Sequence, residues 1–351
     1  MSTGRQKSPQ RRWCLPIVAS VIAAAGCSAP GTSVETTPEV VVSKVGAILR
    51  GPVWSYGTNA LIGLTQDSRL AEITDPLSPE HAKTRLSTPM ALGRNLQISR
   101  KDDRHVLVPQ PERGKVAIVD MGTLGEVDEF DAGPAPAYLA EDAGMRVLLA
   151  LSADGLSVTP VDQYGFRKLP TARITGDPAD RIDGANRGRD IEYHLYGPSG
   201  IRYYKGTSSP PEQRGSLSMH VAVSAGDGAE VTRSYVASPN SETLYAVGAR
   251  RGGQGLAVLG STRLPSPIRA LGTDDTRIYA ATDQEVVTLE TDSFTGYPHN
   301  DVPVLRTTNY RTSLPPAIQS APLSGMAVGP HRVYLTLVGT PYLVSVAKPH
   351  L

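Results

Sequence analysis

Along most of this chain, four to six apolar or β-branched residues are followed by a polar or Gly/Pro break and then by another such run. Residues 116–151 show the pattern best. An apolar strand, 116–119, ends in Asp120. A turn with Gly122 and Gly125 leads to a charged strand, 126–130. Gly133-Pro134-Ala135-Pro136 breaks the chain, a third strand begins near Tyr138, and a strongly apolar one fills 147–151. Short strands at this spacing, punctuated by Gly, Pro and Asp, predict antiparallel meanders and not βαβ units. Long amphipathic helical stretches do not occur; one helical turn is expected within 78–87.

Variants of the unit recur. Its second strand is expected at 59–64, 105–108, 146–151, 191–196, 243–248, 277–282 and 332–337. These seven are spaced by roughly 35–55 residues, which brackets the period of propeller blades. Third strands are expected at 69–74, 115–120, 156–161, 201–205, 255–259, 285–290 and 342–346. Polar fourth strands fit 126–131, 168–174 and 302–308, as expected for an edge that meets water. The unit near 255–270 shows no clear fourth strand. The last unit ends after three, while an unassigned β-branched run, 39–45 (EVVVSKV), precedes the first. The predicted fold is therefore all-β: a seven-bladed β-propeller closed by an N-terminal strand that pairs with the last blade. A pair of β-sandwiches is disfavoured, because nothing resembles a linker between two halves.

Val116-Ala117-Ile118-Val119-Asp120, Gly133-Pro134-Ala135-Pro136 and Arg146-Val147-Leu148-Leu149 together resemble the YVTN-type propeller repeat. In that repeat an apolar strand ending in Asp precedes a Gly-x-x-Pro turn. Weaker echoes lie at Val258-Leu259 with Pro265-Ser266-Pro267-Ile268, and at Arg277-Ile278-Tyr279-Ala280. The resemblance implies the same propeller fold. No recurring WD dipeptide or Kelch double glycine supports those classes.

Composition changes the picture chiefly at the amino terminus. Residues 1–12 are polar and basic, and 13–26 (WCLPIVASVIAAAG) are apolar, too short a run to span a bilayer comfortably. Ala24-Ala25-Gly26-Cys27 resembles the lipobox of bacterial lipoproteins. That resemblance implies cleavage after Gly26 and a diacylglycerol on the Cys27 thiol. Of two cysteines, Cys14 lies inside the signal, so Cys27 is the only one of the mature chain and no internal disulfide can form. The expected organisation is a lipoprotein signal peptide over 1–26, a lipidated flexible tether over 27–38 and the propeller over 39–351. Two or more acyl chains suffice for stable anchoring on the extracytoplasmic face of the cell membrane. The small, Pro-bearing composition of 28–38 suits a tether. Ala-, Gly-, Pro- and Arg-rich usage is similar to that of actinobacterial envelope lipoproteins.

Of 35 Lys and Arg, four lie in residues 1–26, leaving 31 against 34 acids. That balance gives no basic footprint for nucleic acid, and none is expected as a partner. The seven histidines are scattered, with no HxH or HExxH spacing. GxSxG, GxGxxG and GxxxxGK[ST] are absent. The Gly-rich run 250–255 joins two strands and opens no helix. The aspartates lack the order of a calcium loop. No catalytic residue, metal or cofactor is expected.

The most unusual stretch, 177–214, interleaves arginines, tyrosines and aspartates. Arg offers a planar fork of donors and Tyr a rigid apolar face with a hydroxyl, a pairing common on recognition surfaces. Arg187, Arg189, Tyr193, Arg202 and Tyr204 are therefore the candidate ligand or partner contacts; the alternative is that the tyrosines pack between blades. Taken together, the sequence reads as a membrane-anchored, monomeric binding module or scaffold with a protein or small-ligand partner in the envelope. Two other readings stay open. One is an exported propeller enzyme, lactonase-like or quinone-dependent. The other is a ligand-capturing sensor feeding a transporter or receptor. A ring of Asp, Glu, His and Asn converging in the central channel would favour the enzyme.

Overall fold

The computed structural model describes residues 37–78, 82–184, 189–227, 233–250, 255–291 and 297–349. The expected signal peptide (1–26), Cys27 and nearly all of the expected tether (27–38) lie outside them. Residues 38–351 form one compact unit. Among the described residues, twenty-eight strands make seven four-stranded antiparallel sheets. Blades 1 to 6 use residues 50–86, 97–131, 136–173, 181–217, 223–263 and 268–309 in sequence order. Blade 7 takes three strands from 323–347 and its fourth from Val40–Lys44. The first strand of each blade neighbours that of the next, and the first strand of blade 1 neighbours that of blade 7, so the ring closes. The chain is a seven-bladed β-propeller. Among the described residues, no helix is long and apolar enough to cross a membrane.

A blade is covered on both faces by its neighbours, so its middle strands read as continuous apolar runs and not as alternations. Ala60–Leu64, Val147–Ser152 and Arg332–Leu337 are buried throughout. The outer strands Lys83–Leu86 and Glu212–Leu217 are mostly exposed and polar. The apolar interior is divided accordingly: seven clusters of buried side chains, each shared by two adjacent blades. At the closing seam, Trp54 of blade 1 stacks on Tyr334 of blade 7, ring centroids 4.8 Å apart and planes within 3°.

Ring closure follows the expected pairing. Val40 opposes Val346 and Lys44 opposes Tyr342. Arg332 donates to the carbonyls of Pro38 and Glu39, both at 2.9 Å, holding the entering chain against the blade. The Gly-Pro break at 133–136 also has a physical cause. Gly133 sits at φ +89°, and a Cβ there would lie 2.0 Å from the Thr159 hydroxyl.

Three expectations need correction. In blade 5, Thr243–Ala249 is the third strand and Leu256–Arg263 the fourth; the first two are Val223–Gly226 and Ser234–Ala237. These two are four residues each, and neither carries the long aliphatic run that marks the other blades. In blade 1, part of the 78–87 stretch is strand: Lys83–Leu86 pairs with the third strand, Arg85 opposite Glu72, and their side chains form an ion pair. In blade 3, the fourth strand shrinks to Ala172–Arg173, with an isolated bridge from Val161 to Lys168.

Candidate functional site

The sequence-predicted contact residues divide three ways. Arg187 lies outside the described residues. Arg189 is exposed. Tyr193, Arg202 and Tyr204 are buried, with 1%, 7% and 5% of their surface exposed. Tyr193 opposes Tyr204 across the second and third strands of blade 4, and their rings stack at 5.0 Å within the cluster shared with blade 3. Burial pushes the Tyr193 hydroxyl well above its ordinary pKa. Arg202 donates to the carbonyls of Thr175, at 3.0 Å, and Asp177, at 2.7 Å, fastening the connection from blade 3 to blade 4. These three side chains pack and fasten the blade and leave little of their surface open to solvent. The Arg and Tyr signal was real, but long amphipathic side chains serve equally well as cross-strand packing.

A different set converges. In each blade the first strand ends on the same side of the ring, beside the axial channel. Tyr56 follows Arg50–Ser55, and Arg100 follows Gln97–Ile98. Glu141 is near the end of Pro136–Asp142, Asp183 near the end of Arg181–Gly184, and Gly226 ends Val223–Gly226. Asp274 and Asp275 follow Ile268–Thr273, and Pro330 follows Leu323–Val328. All of them, with Lys348, line one cavity of about 930 Å³. Its size falls in the range of small-molecule sites.

Most of the charge in this mouth is neutralised in pairs. Arg100 Nε lies 2.6 Å from Glu141 Oε1. Lys348 Nζ donates to Asp274 Oδ2 at 2.9 Å, as does the Tyr279 hydroxyl at 2.8 Å. Burial raises the Asp274 pKa, but Lys348, the Thr276 amide and Tyr279 outweigh it and hold the group below the usual carboxylate range. Asp183 differs. Burial lifts its pKa, and the Ser224 and Tyr196 hydroxyls and Arg181 offset that only in part. Among the described residues, its Oδ2 has no hydrogen-bond partner. Opposite it in the sheet stands His194, lowered to about 4 by burial and therefore neutral near pH 7. Tyr138, also at the mouth, is pushed up to about 12 by burial, with the Asp183 charge adding to the rise.

Glycines at the strand ends let neighbouring first strands approach. A Cβ on Gly184 would lie 2.0 Å from the Glu141 carbonyl oxygen, and one on Gly226 would lie 3.0 Å from the Gly184 oxygen. Among the described residues, no three His, Cys, Asp or Glu side chains are placed to share a metal ion. The mouth has no contiguous signature in the sequence because its members come from the ends of seven separate strands and the residues just past them. The residue just past each first strand was the available signal, visible in Thr273-Asp274-Asp275.

No family model matches the chain, and no curated protein matches it in sequence. Solved structures match in shape. A chain from a crystal structure of the mitotic checkpoint complex superposes over 94% of this chain and 99% of its own length, with a TM-score of 0.65 at 12% identity. The structure of U3-55K covers 88% of this chain and 98% of its own, with a TM-score of 0.62 at 11% identity. Likeness at this identity is a likeness of fold.

Proposed function

We propose that the chain is an envelope lipoprotein, tethered through acylated Cys27, whose propeller is a non-enzymatic binding module working through the channel mouth. The observation that carries the reading is the convergence of seven strand ends on one cavity whose two described cations are both paired, Arg100 with Glu141 and Lys348 with Asp274, beside the exposed Asp275 and the less exposed Asp183. A catalytic acid or base needs a free group poised for proton transfer. Glu141 and Asp274 are instead held by Arg100 and Lys348. Anchoring rests on Ala24-Ala25-Gly26-Cys27 and on the absence of any other cysteine in the mature chain. Of the two binding roles, capture of a ligand fits a concave mouth better than scaffolding does, since scaffolds use broad faces. The partner is an envelope protein or a small ligand, and the propeller acts as a monomer.

The test is made in the native host. Wild type should fractionate with membranes and carry acyl mass on Cys27, and Cys27→Ala should release it. A photo-crosslinking residue at Tyr56, 62% exposed at the mouth, should give a defined adduct. The same residue at Val127, 56% exposed on a polar outer strand, should not. Equal adducts at both positions, or none at Tyr56, would contradict the reading.

A further inference from the structure

We infer that the mouth recognises an organic cation, an ammonium or guanidinium group on an apolar stem, and that Asp183 Oδ2 receives it. The inference rests on the binding-module reading and names its ligand class. Four lines of observation lead to it.

Among the described residues, the mouth carries four carboxylates, Glu141, Asp183, Asp274 and Asp275, against two cations, Arg100 and Lys348. Both cations are already committed, to Glu141 and Asp274. An anionic ligand would have to break one of those pairs and face the remaining acids. A cationic ligand breaks nothing.

Asp183 supplies the specific contact. Its Oδ2 is buried and has no partner among the described residues, while the Tyr196 and Ser224 hydroxyls steady the carboxyl group. An unmatched buried acceptor costs free energy that a donor of the right length recovers. His194, directly opposite, is neutral and cannot act as that donor in charged form. Arg181, on the same strand, pairs in register with Tyr196, one residue along from Leu195 and two from His194.

The rest of the lining suits the stem. Tyr56, Tyr138 and Trp54 bring aromatic surface to the cavity, and Val328 and Met326 bring aliphatic surface. Aromatic faces attract cations as well as apolar chains, and a desolvated cation gains most from them. The volume of about 930 Å³ admits an arginine-sized group with room for what it is attached to.

The cation could belong to a free amine or to a side chain of a protein, and the experiment separates the two. The full chain, purified in detergent, is titrated calorimetrically with arginine amide, spermidine, an end-capped peptide with one internal arginine, and two controls, N-acetyl-citrulline amide and N-acetyl-glutamate amide. Saturable binding of a cationic probe is expected, with no binding of N-acetyl-citrulline amide, which carries no charge. Asp183→Asn, nearly isosteric, should weaken that binding by at least ~30-fold. Asp275→Asn, which alters an exposed carboxylate, should weaken it only a few-fold. Tighter binding of the peptide than of arginine amide would identify a protein side chain as the source, and the reverse a free amine. Unchanged affinity in a folded Asp183→Asn, or binding of no cationic probe, would overturn the inference. The Tyr56 adduct in cells would then still stand for a binding module with another ligand.

Discussion

Val42 lies directly opposite Val344, so the first described strand of the chain forms the outer edge of its last blade. Two residues that far apart in sequence hold the ring shut through a sheet, and not through side-chain contacts alone. The Glu39 carboxylate adds a link to blade 6, accepting from Thr308 at 2.8 Å and pairing with Arg306. Val41, 6% exposed, is the buried residue of this strand to perturb. Val41→Asp should cost at least ~3 kcal/mol in denaturant unfolding, since it buries an unpaired charge. Val41→Ile should stay within about 1 kcal/mol of wild type.

How much of this was legible follows from where the information lies. The blades could be counted because middle strands, covered on both faces, announce themselves as aliphatic runs such as 147–151. The closing strand was legible because EVVVSKV is β-branched and had no partner nearby. Blade 5 slipped by a strand because Val223–Gly226 and Ser234–Ala237 are short and hold Ser and Gly. The mouth was hidden for another reason: Arg100 and Glu141 become neighbours only when the ring is built, and nothing in their spacing marks them. Arg202 shows the converse, a conspicuous residue whose role is internal.

Arg202→Ala should lower stability by about 2–4 kcal/mol, because two backbone carbonyls lose a charged donor. Arg202→Lys should recover little of this, since one ammonium cannot span both carbonyls as the fork does. Neither change should alter arginine amide affinity, measured by calorimetry on the folded fraction.

Asp142 ties blade 3 to blade 4: its Oδ2 accepts from the Glu192 backbone amide at 2.8 Å, and its side chain is inaccessible to solvent. Burial raises its pKa from 3.8 to about 6, against the pull of the Glu192 and Met145 amides. A folded pKa above the unfolded one means that the native state holds the proton more tightly. The stabilisation is full below about pH 4 and is lost as pH rises through about 6. The stability of wild type relative to Asp142→Asn should therefore grow by about 2–3 kcal/mol from pH 7 to pH 4, in paired urea melts. A constant difference across that range would contradict the assignment.

Gly184→Ala places a methyl group against the Glu141 carbonyl oxygen, a contact that only a shift of the first strand can relieve. A loss of about 3 kcal/mol is expected, with weakened probe binding because Asp183 moves with the strand. Gly125→Ala is the control: its Cβ would meet only the Thr123 hydroxyl at 3.4 Å, and stability should hold within about 0.5 kcal/mol.

Hydrogen exchange on the full chain, with and without saturating arginine amide, examines the mouth most directly. Slower exchange is predicted in the turns that follow the first strands, around Tyr56, Arg100, Ala143, Gly226 and Asp275, and nowhere on the outer strands. Protection confined to outer strands such as Gly125–Asp131, or spread evenly over the blades, would contradict a binding module that works through its channel.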